Sequence, residues 1–367
     1  MKAVRVNTFL AKDAKSVEDV SKSMQIVDVP VPVPGDNQLL VRVEYSPINP
    51  ADIAMTMGTY GGSGTLKVLP SHFVPGTEGS GTIVGIGRGL PRIARRAIGH
   101  KVTFYSPGAW AEYVVVDKTS CIPLPPTVSF QDGCNSFANP VSVVAFVNLA
   151  KTEGHRNIVH TAAASALGKM LIAYAKTQNV GVVGVVRKPE QAQEVMNAGA
   201  KACVVVNDDD IQAVVQQSEA EAEHDEKGAV ESGPPSFRLL IDALKEHKIT
   251  LGFDAVAGQL TGVLLKAMPP KGIVYVYGGL SNQACSFIRP TDLIFSQKQV
   301  RGFWAIAYVK GKNTAGQKEL AAQILSQVSK GQALHTPIKS EFSLEQGLQA
   351  VSTYLNDASG KVVIRAG

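Results

Sequence analysis

The sequence predicts an α/β protein of two domains, a β-rich barrel-like domain and a doubly wound parallel sheet. Three observations carry that expectation. The chain has 367 residues, and at about 150 residues per domain that length suggests two. The N-terminal third alternates apolar and polar residues in short runs punctuated by Gly and Pro, the pattern of a partly open barrel. Beyond CIPLPPTVSF (121–130) the texture changes. Apolar strand-length runs then alternate with helix-length segments, which indicates a parallel sheet covered on both faces.

In chain order, KAVRVNTF, LLVRVEYSPI, SGTIVGIG, HKVTFY and AEYVVVDK read as strands. VPVPGDN, SPINPAD, YGGSG and PGTEGSG supply turns between them. NPVSVVAFVNLAKT reads as a helix. NIVHTAAA (strand), SALGKMLIAYAKT (helix), VGVVGVVR (strand), PEQAQEVMNAG (helix) and KACVVVN (strand) follow. DIQAVVQQ is a helix running into an acidic stretch. After it come LGFDAVAG (strand), QLTGVLLKAM (helix), GIVYVYGG (strand), TDLIFSQK (helix) and QVRGFWAI as the last strand of the series. GQKELAAQILSQVSK and SLEQGLQAVSTYLND are amphipathic helices, and KVVIRAG closes with a strand.

Composition narrows the function. With 45% hydrophobic and 18% charged residues, the chain is neither disordered nor collagen-like. No apolar run approaches the ~18 residues a membrane span needs. Net charge is +5, yet Ser218 to Ser236 sets six acidic residues against Lys227 alone. That stretch lacks apolar periodicity, ends in Gly233-Pro234-Pro235 and reads as an exposed insertion. The basic run Arg88, Arg92, Arg95, Arg96, His100 and Lys101 reads as a solvated loop. It is not interleaved with aromatics, so no nucleic-acid partner is expected. The four cysteines lie far apart, as in a reducing compartment. MKAVRVNTF carries neither a signal h-region nor an Arg/Ser-rich presequence. A cytoplasmic location is expected, with the mitochondrial matrix as the alternative if a presequence has been removed.

The strongest chemical signal is the turn after NIVH. A dinucleotide fold places G-x-G-x-x-G there so that backbone N–H groups approach a pyrophosphate. Here the three positions are Ala163, Ser165 and Gly168. The fingerprint is degenerate but small, and it sits between a strand and a helix. The second strand ends in Arg187-Lys188, where an NAD site places an acid for the ribose diol. A guanidinium grips a 2′-phosphate instead, so the cofactor expected is NADPH. His160 reads as a core histidine, and Asp254 as a residue that caps a helix or orders the cleft.

SPINPADIAMTMGTYGG, FVPGTEGSGTIVGIG, HTAAASALG, VVRKPEQ and LIFSQKQVRGFWAIAY occur in an order and spacing similar to one family. Together they resemble the zinc-free quinone oxidoreductase and enoyl-thioester reductase branch of the medium-chain dehydrogenase/reductases. The resemblance covers nearly the whole chain. It implies a GroES-like catalytic domain from both chain ends (1–134 and 310–367) and a central Rossmann domain (135–309). The active site is expected in the cleft between them, and the assembly is expected to be a homodimer. Tyr60 matches the tyrosine assigned as proton donor or oxyanion stabiliser in enoyl-thioester reductases. Asn49 is expected at the nicotinamide end, bonding substrate or cofactor. Asn139 and Ser142 match the helix beside the nicotinamide. The loop Ala163, Ser165, Ala166, Leu167 and Gly168 is expected on the pyrophosphate. Backbone groups of Tyr277, Gly278 and Gly279 are expected on the carboxamide, and Phe303 and Trp304 on the wall of the substrate pocket. Tyr60 as a packing residue, Asn49 as a turn residue and the Phe303-Trp304 pair as a dimer edge remain open alternatives.

Zinc-dependent members have Gly-His-Glu where this chain has Gly76-Thr77-Glu78, and a ligand cysteine near Asn49. With neither present, no metal is expected. Without a Lewis acid, an activated C=C bond or a quinone is the easier hydride acceptor. The expected function is therefore NADPH-dependent, zinc-independent reduction of a quinone or an α,β-unsaturated carbonyl, with a small electrophile as substrate. Two alternatives are a 2-enoyl-thioester reductase of fatty-acid synthesis and a crystallin-like NADPH binder with little turnover.

Overall fold

A computed structural model describes residues 1–60, 72–89, 92–223, 233–358 and 360–367. The chain divides into two compact units, Met1–Val141 with Thr314–Gly367, and Ser142–Asn313.

The first unit is organised around the ten-residue strand Gln38–Pro47. Its alternation buries Leu39, Val41 and Val43. Glu78–Ile86 pairs with it antiparallel, and Tyr113–Asp117 pairs along its other edge. Lys101–Tyr105 and Cys121–Pro123 extend the sheet one way, and Lys361–Arg365 and Ile338–Ser343 the other. The C-terminal strand thus completes a sheet begun by the N-terminal segment. Gly81 lies so close to the neighbouring strand that a Cβ would stand 2.1 Å from the Arg42 carbonyl oxygen.

In the second unit six parallel strands lie in the order Ala202–Val205, Gly181–Val186, Asn157–Thr161, Leu251–Asp254, Ile273–Val276 and Gln299–Gly302. Numbered within this unit the order is 3-2-1-4-5-6, that of a dinucleotide-binding sheet. The direction of winding reverses between the first and fourth strands, so their carboxyl ends mark the switch point.

Three sequence expectations need correction. QVRGFWAI is not all strand: it ends at Gly302, and Trp304 precedes the helix Ala305–Lys310. Once Phe303 N–H has bonded the Val276 carbonyl, the edge runs out of a partner strand. The stretch from Ser218 does not begin as an insertion. The helix Asp208–Glu223 carries through it, and Ser218 is buried, accepting a hydrogen bond from Lys266 Nζ. Residues 224–232 of that stretch lie outside the described residues. Pro235 starts a helix, Pro235–Glu246, because proline is preorganised for a first helical position.

That helix was missed in the sequence although its signal is present. Phe237, Leu240, Ile241 and Leu244 recur at 3–4 residue spacing and all face the core. Leu240 is 0% exposed and the adjacent Leu239 61%. Leu240→Ala is expected to cost about 2–5 kcal/mol. Leu239→Ala should stay within about 0.5 kcal/mol, as read by urea denaturation; equal losses would place the buried face wrongly.

Candidate active site

The site residues of the first unit meet around a buried carboxylate. Asn49 precedes the helix Pro50–Thr56, with Pro50 at the position where a missing N–H costs nothing. Asp52 reaches back to the Asn49 backbone N–H at 2.8 Å, and its other oxygen accepts from the Thr77 hydroxyl at 2.8 Å. The Asn49 side chain donates to Glu78 Oε1 at 2.8 Å and accepts from Lys361 Nζ at 2.5 Å. The other Glu78 oxygen accepts the backbone N–H groups of Phe137 and Ala138 at 3.2 and 2.9 Å. Asn49 is 3% exposed, with its carboxamide committed at both ends.

Burial dominates the protonation of this cluster. It raises Asp52 to about 7, against its two hydrogen-bond donors. It raises Glu78 as well, with Lys361 opposing the shift. Burial pushes Lys361 below the ordinary lysine value, with the Glu78 charge working the other way.

These residues do not fit a zinc ion. A catalytic zinc takes three nitrogen, sulfur or carboxylate ligands. Here the set is a carboxamide, a hydroxyl and two carboxylates, Asp52 and Glu78, whose oxygens already accept N–H or O–H donors, and the Lys361 ammonium occupies the carboxamide oxygen. Among the described residues no group of three or more His, Cys, Asp or Glu is placed to hold a metal.

Tyr60 lies just past the helix Pro50–Thr56, and its backbone N–H bonds the Ala54 carbonyl at 3.1 Å. Burial, with the Tyr60 phenol nearby, raises the Tyr105 hydroxyl above the ordinary phenol value. The Tyr105 ring stacks on Phe137 with centroids 4.7 Å apart. Asp52, Lys361 and Tyr105 were given no role in the sequence reading. An isolated lysine opening the apolar strand KVVIR was the available signal for one of them.

In the second unit the switch point is tied by Asp254, which is wholly buried. It accepts the Thr161 and Thr261 hydroxyls at 2.8 and 2.6 Å and the N–H groups of Val256 and Ala257 at 2.9 and 3.3 Å. The Thr161 hydroxyl oxygen in turn accepts the Ala255 N–H at 2.9 Å. The first and fourth strand ends are thereby locked together.

The turn after the first strand is tight. A Cβ on Gly168 would stand 2.4 Å from the Ala163 carbonyl oxygen, and Ala163 itself is fully buried. Ser165 caps the helix Ala166–Thr177 by accepting the Gly168 N–H at 3.1 Å. The N–H groups of Ala166 and Leu167 are left at the helix end, where an anion is favoured. Arg187 follows the second strand with its side chain 66% exposed, 4.0 Å from Asp208, and Lys188 lies 3.9 Å from Glu190. Gly278 packs on the Ala255 backbone, whereas a Cβ on Gly279 would meet nothing. A small-residue turn, a helix end and basic residues at the second strand end fit a phosphorylated dinucleotide.

The Tyr277 side chain does not face outward. Its hydroxyl is turned inward, 2.7 Å from Nε2 of the buried His160. Burial holds His160 down to about 3, hence neutral, and its Nδ1 has no partner among the described residues. Phe303 packs edge-on against Phe146 at 4.9 Å, whereas Trp304 is 48% exposed. Asn139 and Ser142 share one face of the helix Ala138–Thr152 at i, i+3 spacing.

Comparison with known proteins agrees with this arrangement. Residues 35–126 match the family model described as Alcohol dehydrogenase GroES-like domain, and residues 166–318 the one described as Zinc-binding dehydrogenase. Prostaglandin reductase-3 of Mus musculus is 28% identical over 342 residues, covering 92% of this chain and 83% of its own. The mitochondrial enoyl-[acyl-carrier-protein] reductase of Bos taurus is 25% identical, covering 91% and 82%. A Mesorhizobium loti structure assigned as an NADPH:quinone reductase superposes with TM-score 0.81 at 28% identity, over 100% of this chain and 98% of that one. The quinone oxidoreductase of Escherichia coli shares the fold, with TM-score 0.74 at 17% identity over the full length of both chains. Fold and turn chemistry define a two-unit oxidoreductase of the alcohol-dehydrogenase type. The chain belongs to the medium-chain dehydrogenase/reductases, in the branch of quinone and enoyl-thioester reductases. The zinc in the second model's description has no matching donor set among the described residues.

The raised Asp52 makes a pH prediction. A carboxyl near 3.8 when unfolded and about 7 when folded stabilises fully below pH 3.8, and that contribution is lost as pH rises through 7. Asp52→Asn removes the titration. Between about pH 4 and 7 the stability of the wild type relative to this variant should fall by up to about 1.4 kcal/mol per pH unit. Parallel denaturation curves across that range would show that Asp52 ionises normally.

Proposed function

We propose that this protein is an NADPH-dependent, zinc-independent reductase of activated C=C bonds and quinones, with Tyr60 acting on the reacting carbonyl. The observation that carries the reading is the buried Lys361–Asn49–Glu78 cluster, a metal-free arrangement on the element that leads to Tyr60. NADPH, when bound, supplies the hydride that adds to the β-carbon of a conjugated acceptor. The Ala163–Gly168 turn and the N–H groups of Ala166 and Leu167 would hold its pyrophosphate. Arg187 and Lys188 would hold its 2′-phosphate, and the backbone of Tyr277, Gly278 and Gly279 its carboxamide. Asn139 and Ser142 would lie beside the nicotinamide, and Phe303 and Trp304 would wall the acceptor pocket.

Reduction leaves an enolate, which needs a hydrogen-bond donor at oxygen and a proton at the α-carbon. Tyr60 meets both needs through its phenol O–H. Asn49 acts by orienting the helix that leads to Tyr60, since its carboxamide is spent on Glu78 and Lys361. Relatives named for prostaglandin and enoyl-thioester reduction support an enone or thioester as readily as a quinone. We further propose a homodimer formed at the edge strand Gln299–Gly302, beside which Phe295 is 80% exposed. Four unpaired thiols support a reducing compartment, the cytosol. No helix among the described residues is long and apolar enough to cross a membrane.

Two measurements test the reading. Wild type should bind NADPH at least ~10-fold tighter than NADH, since charged hydrogen bonds are worth about 1.5–3 kcal/mol. Arg187→Ala should erase most of that preference, and equal affinity in wild type would refute the assignment. Tyr60→Phe should lower kcat on an enone such as trans-2-hexenal or on crotonyl-CoA by roughly 10²-fold. It should leave NADPH affinity unchanged and affect 1,2-naphthoquinone less, because a hydroquinone anion takes its proton from water. Unchanged kcat on all three would make Tyr60 a packing residue.

A further inference from the structure

We infer that His160 is the positioning residue for the nicotinamide end of the cofactor site, holding the Tyr277 side chain inside the sheet so that the backbone of Gly278 and Gly279 is presented at one fixed place. The inference rests on the carboxamide contact proposed above and adds a residue from another strand. His160 lies on the strand Asn157–Thr161, and Tyr277 lies just past Ile273–Val276. Those two strands do not pair. Leu251–Asp254 runs between them, with Phe253 opposite both His160 and Tyr275. The 2.7 Å hydrogen bond between His160 Nε2 and the Tyr277 hydroxyl therefore crosses a whole strand. The Tyr277 ring packs against Phe146, with centroids 4.8 Å apart, and Phe146 in turn stacks on Phe253 at 4.1 Å.

That bond is the only one the His160 side chain makes among the described residues. The residue is 0% exposed, and its Nδ1 has no partner there. For packing alone an apolar side chain would serve better among these aromatic rings, because a buried unpaired nitrogen is a cost. What the histidine supplies is one polar partner for one hydroxyl. The main chain shows what depends on it. The Tyr277 N–H bonds the Asp254 carbonyl at 2.9 Å, and the next anchor is the Leu280 N–H on the Ala255 carbonyl at 3.1 Å. Between them the N–H groups of Gly278 and Gly279 have no partner among the described residues and are left for a ligand. Two consecutive glycines have wide conformational freedom, so the anchors on either side set their place. Without His160, the Tyr277 hydroxyl keeps a hydrogen bond only by turning to water. The ring then leaves Phe146, and the first anchor moves with it.

The test measures binding by calorimetry for NADPH and for 2′,5′-ADP, which carries the adenosine and the 2′-phosphate but no nicotinamide. The proteins are wild type, His160→Leu, His160→Gln and a double variant that adds Tyr277→Phe to His160→Leu, with thermal melts to confirm folding. Wild type should bind NADPH more tightly than 2′,5′-ADP. His160→Leu should weaken NADPH roughly tenfold, the scale of one hydrogen bond, and leave 2′,5′-ADP within about twofold. His160→Gln, whose amide reaches the place of Nε2, should recover affinity for NADPH. The double variant should also bind NADPH more tightly than His160→Leu, because a ring without a hydroxyl has no reason to leave Phe146. A merely structural histidine gives equal losses for both ligands, and that result overturns the inference. Unchanged NADPH affinity in His160→Leu overturns it too, as does failure of either the glutamine or the double variant to recover affinity. In each of those cases the carboxamide contact stands. Wild type binding NADPH no more tightly than 2′,5′-ADP refutes the contact itself and the inference with it. If His160→Leu fails to fold, His160→Asn, whose amide stops short of the hydroxyl, should show the same selective loss, and wild-type affinity for NADPH there overturns the inference.

Discussion

The buried Glu78 carboxylate is the constraint on which the first unit depends. It is 1% exposed and binds three donors from two remote segments, the Asn49 carboxamide and the N–H groups of Phe137 and Ala138. A charge in that position is tolerable only when its lone pairs are satisfied and a cation stands near. Lys361, which bonds the same carboxamide, supplies that cation from the last strand of the chain. The N-terminal sheet, the entry into the helix Ala138–Thr152 and the C-terminal strand are therefore tied at one polar point. Removing a single partner would strand a charge in the interior.

This cluster also explains how a fold shared with zinc-dependent enzymes manages without the metal. The loop that would carry zinc ligands must be held against the barrel by something. Here it is held by hydrogen bonds, with an ammonium acting as the positive centre. A lysine cannot polarise a carbonyl as an open-coordinate metal does, so this arrangement positions rather than activates. Under the function proposed above, the acid–base work falls on the Tyr60 hydroxyl past the adjoining helix, which suits acceptors whose charge is already delocalised.

In the nucleotide unit the corresponding knot is Asp254. Two threonine hydroxyls and two backbone N–H groups converge on it. The backbone past it is forced through positive φ at Ala257 and Gly258 (64° and 65°). The switch point of the sheet is rigid before any ligand arrives, and that limits the ordering cost of binding. Both units follow one design, a buried acid satisfied by donors from more than one segment of the chain.

Much of this was legible in the sequence because it rests on local rules. The apolar run NIVHT followed by AAASALG announces a strand, a tight turn and a helix through side-chain size alone. Arg187 at a strand end is, through charge alone, the signal behind the 2′-phosphate role proposed above. The βα alternation implies a parallel sheet because no other layering buries both faces. What stayed hidden depends on contacts remote along the chain. Lys361 lies 312 residues from Asn49, and no periodicity shows that a lone lysine in KVVIR is turned inward to a carboxamide. The helix of Pro235 was obscured by its own prolines, read as breakers until the core claimed Phe237 and Leu240. Ser218 sat among acids and looked solvated, yet helix packing buried it against Lys266. The sequence by itself determined most of the elements, the order of the units and the strand–turn–helix of 157–177, since these follow from residue size, charge and period. Only the tertiary structure decided which polar groups share the interior, because desolvation and hydrogen-bond satisfaction belong to positions in space rather than to neighbours in the chain.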